Sequence, residues 1–245
     1  MKYKITLSYD GTGFCGWQHQ PSGGSVQDAV ESAVYSLFGE KASVVGSGRT
    51  DAGVHALAQV AHFSVSKDLP LKNVVGGLNA YLPREVRVIG AKHAEEGFDA
   101  RKSAKSKTYM YLMYTGAQLP VLNDRALNLG FSPDLDAMSR ACRELVGKHD
   151  FSTFMAAGSS AKTFTRTVTD AHFETDGRFI KFFISADGFL YNMVRIIVAQ
   201  LIRAGRGENV DISALIERRD RSYAKEIADA CGLYLYSVSY GEQNE

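Results

Sequence analysis

Apolar positions along the chain follow two rhythms. In 3–10, "YKITLSYD", Tyr3, Ile5, Leu7 and Tyr9 alternate with more polar residues, the two-residue period of a half-buried strand. In 25–39, "SVQDAVESAVYSLFG", Val26, Val30, Ala33, Val34, Leu37 and Phe38 recur at helical spacing. Ser25 with Asp28 three residues on is a capping-box-like start, and Gly39 supplies the stop. The same patterns predict strands over 42–45, 59–65, 86–92, 107–114 and 232–240. They predict helices over 71–82, 135–147, 191–205, ended by Gly205, and 212–220. Strands over 166–175 and 178–186 flank Asp176-Gly177, a hairpin pattern.

Strands and helices interleave in both halves, which predicts an α+β class built from α/β sandwich units. The Gly-, Pro- and Asn-containing stretch 115–134 marks the expected boundary, between an N-terminal half, 1–115, and a C-terminal half, 116–245. The most apolar helix, 191–205, is interrupted by Arg195 and Arg203. No run reaches the roughly 18–20 apolar residues that span a bilayer.

Composition narrows the function classes. Hydrophobic residues make up 45% of the chain and charged residues 22%, an ordinary globular mixture. The formal net charge is +1, so any nucleic-acid surface must come from local clustering. The three cysteines, Cys15, Cys142 and Cys231, form no C-x-x-C pair, which argues for reduced thiols and against structural zinc. The histidines show no zinc-ligand spacing either, so no metal is expected. The N-terminus has no signal-peptide apolar region, and a soluble, cytoplasmic protein is the expectation.

One stretch stands apart, "GSGRTDAGVHA" at 46–56. It lacks the G-x-G-x-x-G or G-K-[ST] spacing of phosphate loops, and it leads into a strand rather than a helix. Its glycines suit a plain structural turn. Asp51 adds a carboxylate mounted on that turn, the geometry of a nucleophile or base. His55 beside it reads as structural. Arg195 borders the apolar stripe of the 191–205 helix, so it either snorkels to water or neutralises and aims a carboxylate from elsewhere in the fold. Arg101, Lys102, Lys105 and Lys107 lie within seven residues and run into Tyr109, Tyr111 and Tyr114. Such a run is either a solvated loop before a sheet core or an RNA surface of cations and stacking rings. No G-x-S-x-G supports a hydrolase. A small-molecule glycosidase or nucleosidase lacks its second placed carboxylate.

Together these stretches resemble the tRNA pseudouridine synthase A family nearly end to end. The segments that carry the resemblance run in order: "YDGTGFCGWQHQP" (9–21), "GSGRTDAGVHA", "LNAYLP" (78–83), "FDAR…SA…KTYMY" (98–111), "HDFSTF" (149–154), "GFLYNMVRIIV" (188–198) and "GLYLYSVSY" (232–240). Two departures stand out: Asp99 in "FDAR", where many members have histidine, and "RDRSYAKEIADAC" (219–231), which lacks the family's Gly-x-Thr-Ala-Pro pattern. The resemblance implies isomerisation of uridine to pseudouridine in the anticodon stem-loop of tRNA, without a cofactor. It implies two ferredoxin-like halves forming a continuous mixed sheet around a central basic cleft, in a homodimer that holds tRNA. By motif, Asp51 is the nucleophile, Tyr109 stacks on the target base, Arg195 pairs with the aspartate and Arg49 lies near the flipped-out nucleotide. A non-catalytic RNA-binding protein is the alternative on the same sequence.

Overall fold

Tyr3, Ile5, Leu7 and Tyr9 are all buried while their neighbours are not, so the alternation read from sequence is the alternation of a strand, β1 (Lys2–Tyr9). The computed structural model describes residues 1–159 and 161–241. The next element is α1 (Val26–Phe38), whose start has the expected reciprocal cap. Asp28 N donates to Ser25 Oγ at 3.0 Å, and Ser25 N donates to the Asp28 carboxylate at 3.3 Å. Gly39 ends it with a left-handed backbone. There follow β2 (Val45–Gly46), β3 (His55–Ser64), α2 (Leu71–Tyr81) and β4 (Val86–His93). β1 pairs antiparallel with β3 (Ile5 opposite Ala61) and with β4 (Ile5 opposite Ala91), and β2 pairs with β3. The order β4-β1-β3-β2 with two crossing helices is a ferredoxin-like βαββαβ unit. Tyr3 meets Phe38 and Phe63 at ring distances of 5.8 and 5.5 Å, which places the core between sheet and helices. Each such fully buried side chain contributes about 1.5–3 kcal/mol.

The second unit, Ser106–Leu233, contains β5 (Ser106–Tyr114), β6 (Leu127–Asn128), α3 (Leu135–Arg143), β7 (Gly147–Asp150), β8 (Thr165–Asp176), β9 (Phe179–Ala186), α4 (Met193–Gly205) and α5 (Ile212–Arg218). Its strands run β5-β9-β8-β7, all antiparallel, with β6 parallel on β5. β8 and β9 form the expected hairpin. α4 buries Met193, Val194, Ile196, Ile197, Val198 and Leu201, and it packs on α3. The last strand, β10 (Leu233–Ser239), returns to the first unit from Tyr234 on, where Tyr234 pairs in parallel with His55 of β3.

Several boundaries differ from the sequence reading. By contacts the chain divides after Lys105 and again after Leu233, rather than at 115–116, because β10 pairs with a strand laid down far earlier in the chain. The strand expected over 42–45 pairs only at Val45 and Gly46. β3 begins at His55 rather than 59, since β10 supplies hydrogen-bonding partners there. α3 stops at Arg143, and Gly147, with φ 128, opens β7 instead of closing the helix. α4 does end at Gly205, as the sequence reading has it. A Cβ there would lie 2.7 Å from the Met138 sulfur, so that glycine serves the close approach of α3. Among the described residues there are ten strands and five α-helices, an α+β class, and no helix is long and apolar enough to cross a membrane.

Candidate functional site

Asp51 sits on the connection between β2 and β3, half-buried. Val54 N donates to Asp51 O at 3.1 Å and Gly53 has φ 76, so Asp51 opens a tight turn whose third position needs a residue without Cβ. Neighbouring backbone presses directly on this turn. A Cβ on Gly16 would lie 2.5 Å from Thr50 O and 3.1 Å from the Asp51 carbonyl carbon, and one on Gly11 would lie 2.0 Å from Val54 O. Trp17 N donates to Thr50 O at 3.0 Å.

Buried polar side chains lock the same loop. Ser47, Thr50 and Gln59 are almost wholly inaccessible to water. Ser47 Oγ bonds Gln59 Oε1 at 2.7 Å, and Gln59 Nε2 donates to Gly48 O at 3.0 Å. Thr50 Oγ1 and the Tyr9 hydroxyl are 2.8 Å apart, and burial pushes the Tyr9 phenol up to about 12. His55 is buried, accepts the Gly11 N–H at Nδ1 at 3.0 Å and stacks on Tyr234 at 4.7 Å. These contacts join the motif to β1, to the loop after it, to β3 and, through Tyr234, to β10. The carboxylate is therefore carried by a rigid frame, which a nucleophile requires.

Arg49 is exposed beside that turn. With Arg101, Trp17, Gln18 and Gln27 it lines a recess of about 180 Å³ over the 43–48 backbone. Small-molecule sites generally occupy about 300–1,000 Å³. Two guanidiniums at the rim of a smaller recess suit one anionic or planar group of a larger ligand. Arg101 and Lys102 belong to a turn shaped by Asp99, whose carboxylate accepts both of their backbone N–H groups at 2.9 Å. Those bonds, the Lys102 one foremost, hold the Asp99 carboxyl below its usual range. Arg101, Lys102 and Lys105 are all exposed.

The second unit carries the other two candidates. Tyr109 lies on β5 opposite Ile184, 8% exposed, with its ring edge-on to Phe189 at 4.9 Å. Arg195 is in the first turn of α4. Its Nε donates to Ala228 O at 2.7 Å and its Nη1 to Asn192 Oδ1 at 2.9 Å, so the guanidinium is gripped rather than snorkelling freely. Ala228 N returns a bond to Arg195 O at 3.1 Å. The atypical 219–231 segment supplies that grip. Asp220 N donates to Thr153 Oγ1, Ala224 is fully buried, and Asp229 O accepts the Tyr111 hydroxyl at 2.7 Å.

The structure thus brings Asp51 and Arg49 onto one loop of the first unit, and places Tyr109 and Arg195 in the second. Sequence reasoning missed Thr50, Gln59 and Asn192. A polar residue at a strand position that alternation assigns to the interior, such as Gln59, was the available signal. Among the described residues no three His, Cys, Asp or Glu side chains come together to hold a metal ion.

Similarity to known proteins runs along most of the chain. The chain matches a family model described as tRNA pseudouridine synthase over residues 5–101 and 141–241. It is 41% identical over 240 residues to "tRNA pseudouridine synthase A 2" of Clostridium perfringens, covering 97% of this chain and 98% of that one. It is 43% identical over 241 residues to "tRNA pseudouridine synthase A" of Acetivibrio thermocellus, again over 97% and 98%. The protein of the same name from Thermoanaerobacter pseudethanolicus is 38% identical over 239 residues, 96% of this chain and 98% of that one.

Proposed function

The chain belongs to the tRNA pseudouridine synthase family, isomerases that convert uridine to pseudouridine in tRNA, and we propose that it does this with Asp51 as the nucleophile. The observation that carries the assignment is the frame around Asp51: a half-buried carboxylate on a turn fixed by close backbone packing and by buried hydrogen bonds from Tyr9, Ser47 and Gln59. An RNA-binding surface gains nothing from a rigid carboxylate beside arginines, because that charge repels phosphate.

The chemistry needs one such group. The N1–C1′ bond of the uridine breaks, the uracil turns while held, a C5–C1′ bond forms, the C5 proton leaves and N1 takes up a proton. Base and sugar are neither lost nor gained, so no second carboxylate need activate water, as a glycosidase requires. Asp51 is the anion that acts on the nucleotide. Arg195 keeps that carboxylate ionised, since a neighbouring cation favours the charged form. Tyr109 stacks on the uracil, and Arg49 lies beside the extruded nucleotide. Extrusion costs a few kcal/mol, offset by phosphate contacts from Arg101, Lys102, Lys105 and Lys107. The uridines lie in the anticodon stem-loop, and the enzyme works as a cytoplasmic homodimer.

The test is incubation with an unmodified tRNA transcript, followed by chemical mapping of pseudouridine. Wild type is expected to modify the anticodon stem-loop. Asp51→Asn, isosteric but unable to act as an anion, is expected to bind tRNA and form no product. Turnover by Asp51→Asn within tenfold of wild type would remove Asp51 from the role. Tight tRNA binding by the wild type with no pseudouridine would favour a binding protein instead.

A further inference from the structure

α4 begins in an unusual way. Asn192, its N-cap, has φ 59 and ψ 10, and it is one of two residues other than glycine with positive φ among the described residues. Left-handed backbone is unfavourable for any residue with a Cβ, though asparagine tolerates it better than most. An asparagine at this position ordinarily accepts a bond from the second or third helical N–H. Asn192 makes no such capping bond. Its Oδ1 accepts instead from Arg195 Nη1 at 2.9 Å. Two local preferences are set aside at one residue, and the contact obtained falls on one guanidinium.

That guanidinium is planar and rigid. Arg195 Nε is already tied to Ala228 O at 2.7 Å. A second bond, from a different nitrogen, restrains the plane of the group. Asn192 stands three residues before Arg195 at the N-cap, outside the helix, so its own backbone decides whether its amide reaches that guanidinium. We propose that Asn192 is a positioning residue, whose left-handed backbone brings its amide oxygen onto Arg195 and so fixes the plane of the guanidinium used in the isomerisation. The proposal rests on the reading that Arg195 serves that reaction.

An alternative need for the same backbone exists. Tyr191 O accepts from Ala156 N at 3.0 Å, so the chain entering α4 is itself held, and that path alone could require the left-handed turn. Glycine separates the two, because it adopts this backbone freely and carries no amide oxygen. Single-turnover rates on a tRNA transcript, KM and melting temperature would be measured for Asn192→Gly, Asn192→Ala, Arg195→Met and the Gly/Met double variant. Asn192→Gly is expected to melt near wild type, to keep its KM and to lose about tenfold or more in rate, the pattern of an interaction made only in the transition state. Asn192→Ala is expected to show the same loss of rate with a lower melting temperature. In the Arg195→Met background the glycine is expected to cost nothing further, since Asn192 acts only through Arg195. A rate for Asn192→Gly within twofold of wild type overturns the proposal, as does an equal additional loss in the double variant. Full activity of Arg195→Met with Asn192 intact overturns the underlying reading of Arg195, a result distinct from either.

Discussion

Gly16 tests how the Asp51 loop is held, because alanine there asks two impossible things at once. The residue has φ 106, and its Cβ would stand 2.5 Å from Thr50 O, a backbone atom that also accepts the Trp17 N–H. Normal carbon–oxygen contact begins at about 3.3 Å, so the loop must retreat by about 0.8 Å. The residue that retreats is bonded directly to Asp51. Displacing a reacting group by about 1 Å costs on the order of 100-fold in rate. The left-handed backbone alone costs an alanine about 1–2 kcal/mol, and at this chain length each kcal/mol lowers Tm by about 2–4 °C. Gly16→Ala is therefore expected to lose about 2–8 °C in Tm and between about tenfold and 100-fold in single-turnover rate. Gly13, in the same loop, has nothing within 4 Å of its would-be Cβ and no positive φ. Gly13→Ala is the control, expected to match wild type in both measurements. The assay is pseudouridine formation with enzyme in excess over tRNA, run well below the melting temperature of each variant. If Gly16→Ala turned over at the wild-type rate, close packing on this loop would not be what places Asp51.

Other substitutions probe the remaining parts. The Tyr109 hydroxyl is the candidate acceptor of the C5 proton that leaves in the isomerisation: Tyr109→Phe, which keeps the ring, should bind tRNA normally but turn over 100- to 10,000-fold more slowly (about the range for a lost proton acceptor), whereas Tyr109→Leu should also lose about 1–3 kcal/mol of base stacking; a stable Phe variant with normal turnover ends the acceptor role. The pair Arg101→Ala and Lys102→Ala, on a turn whose fold rests on Asp99 rather than on these side chains, should reduce the slope of log affinity against log salt by about 1.4–1.8, and an unchanged slope would take the turn off the RNA. Tyr9 has its phenol raised by burial to about 12 from 10.0, so the folded state keeps a proton that the unfolded chain releases. Its contribution is complete below pH 10 and is lost as pH rises toward 12, about 2–3 kcal/mol in all. Denaturant titrations should show a shallower alkaline decline in Tyr9→Phe than in wild type, and parallel declines would contradict the burial argument.

Features that depend on neighbours within a turn or two are legible in the sequence. Ser25 and Asp28 announced the start of α1, since a capping box is closed by residues three apart. The alternation of Tyr3, Ile5, Leu7 and Tyr9 fixed which face of β1 is buried, and Asp176-Gly177 announced the hairpin of β8 and β9. Asp51 was legible as a carboxylate on a glycine-framed turn for the same reason. What closes around that turn was not legible. Nothing in the sequence separates Gly11 and Gly16 from other loop glycines; the backbone of 50–54 packed against them does. Gly205 read as a helix stop, and only the position of Met138 shows that it makes room for α3. Nothing in "GLYLYSVSY" states that its strand pairs with His55, because a two-residue period specifies which side faces inward and not which strand lies alongside. The left-handed Asn192 escaped for a related reason: its amide bonds Arg195, and that guanidinium is also held by Ala228 O, distant in sequence. Local pattern sets the elements, and long-range packing decides which side chains those elements hold still.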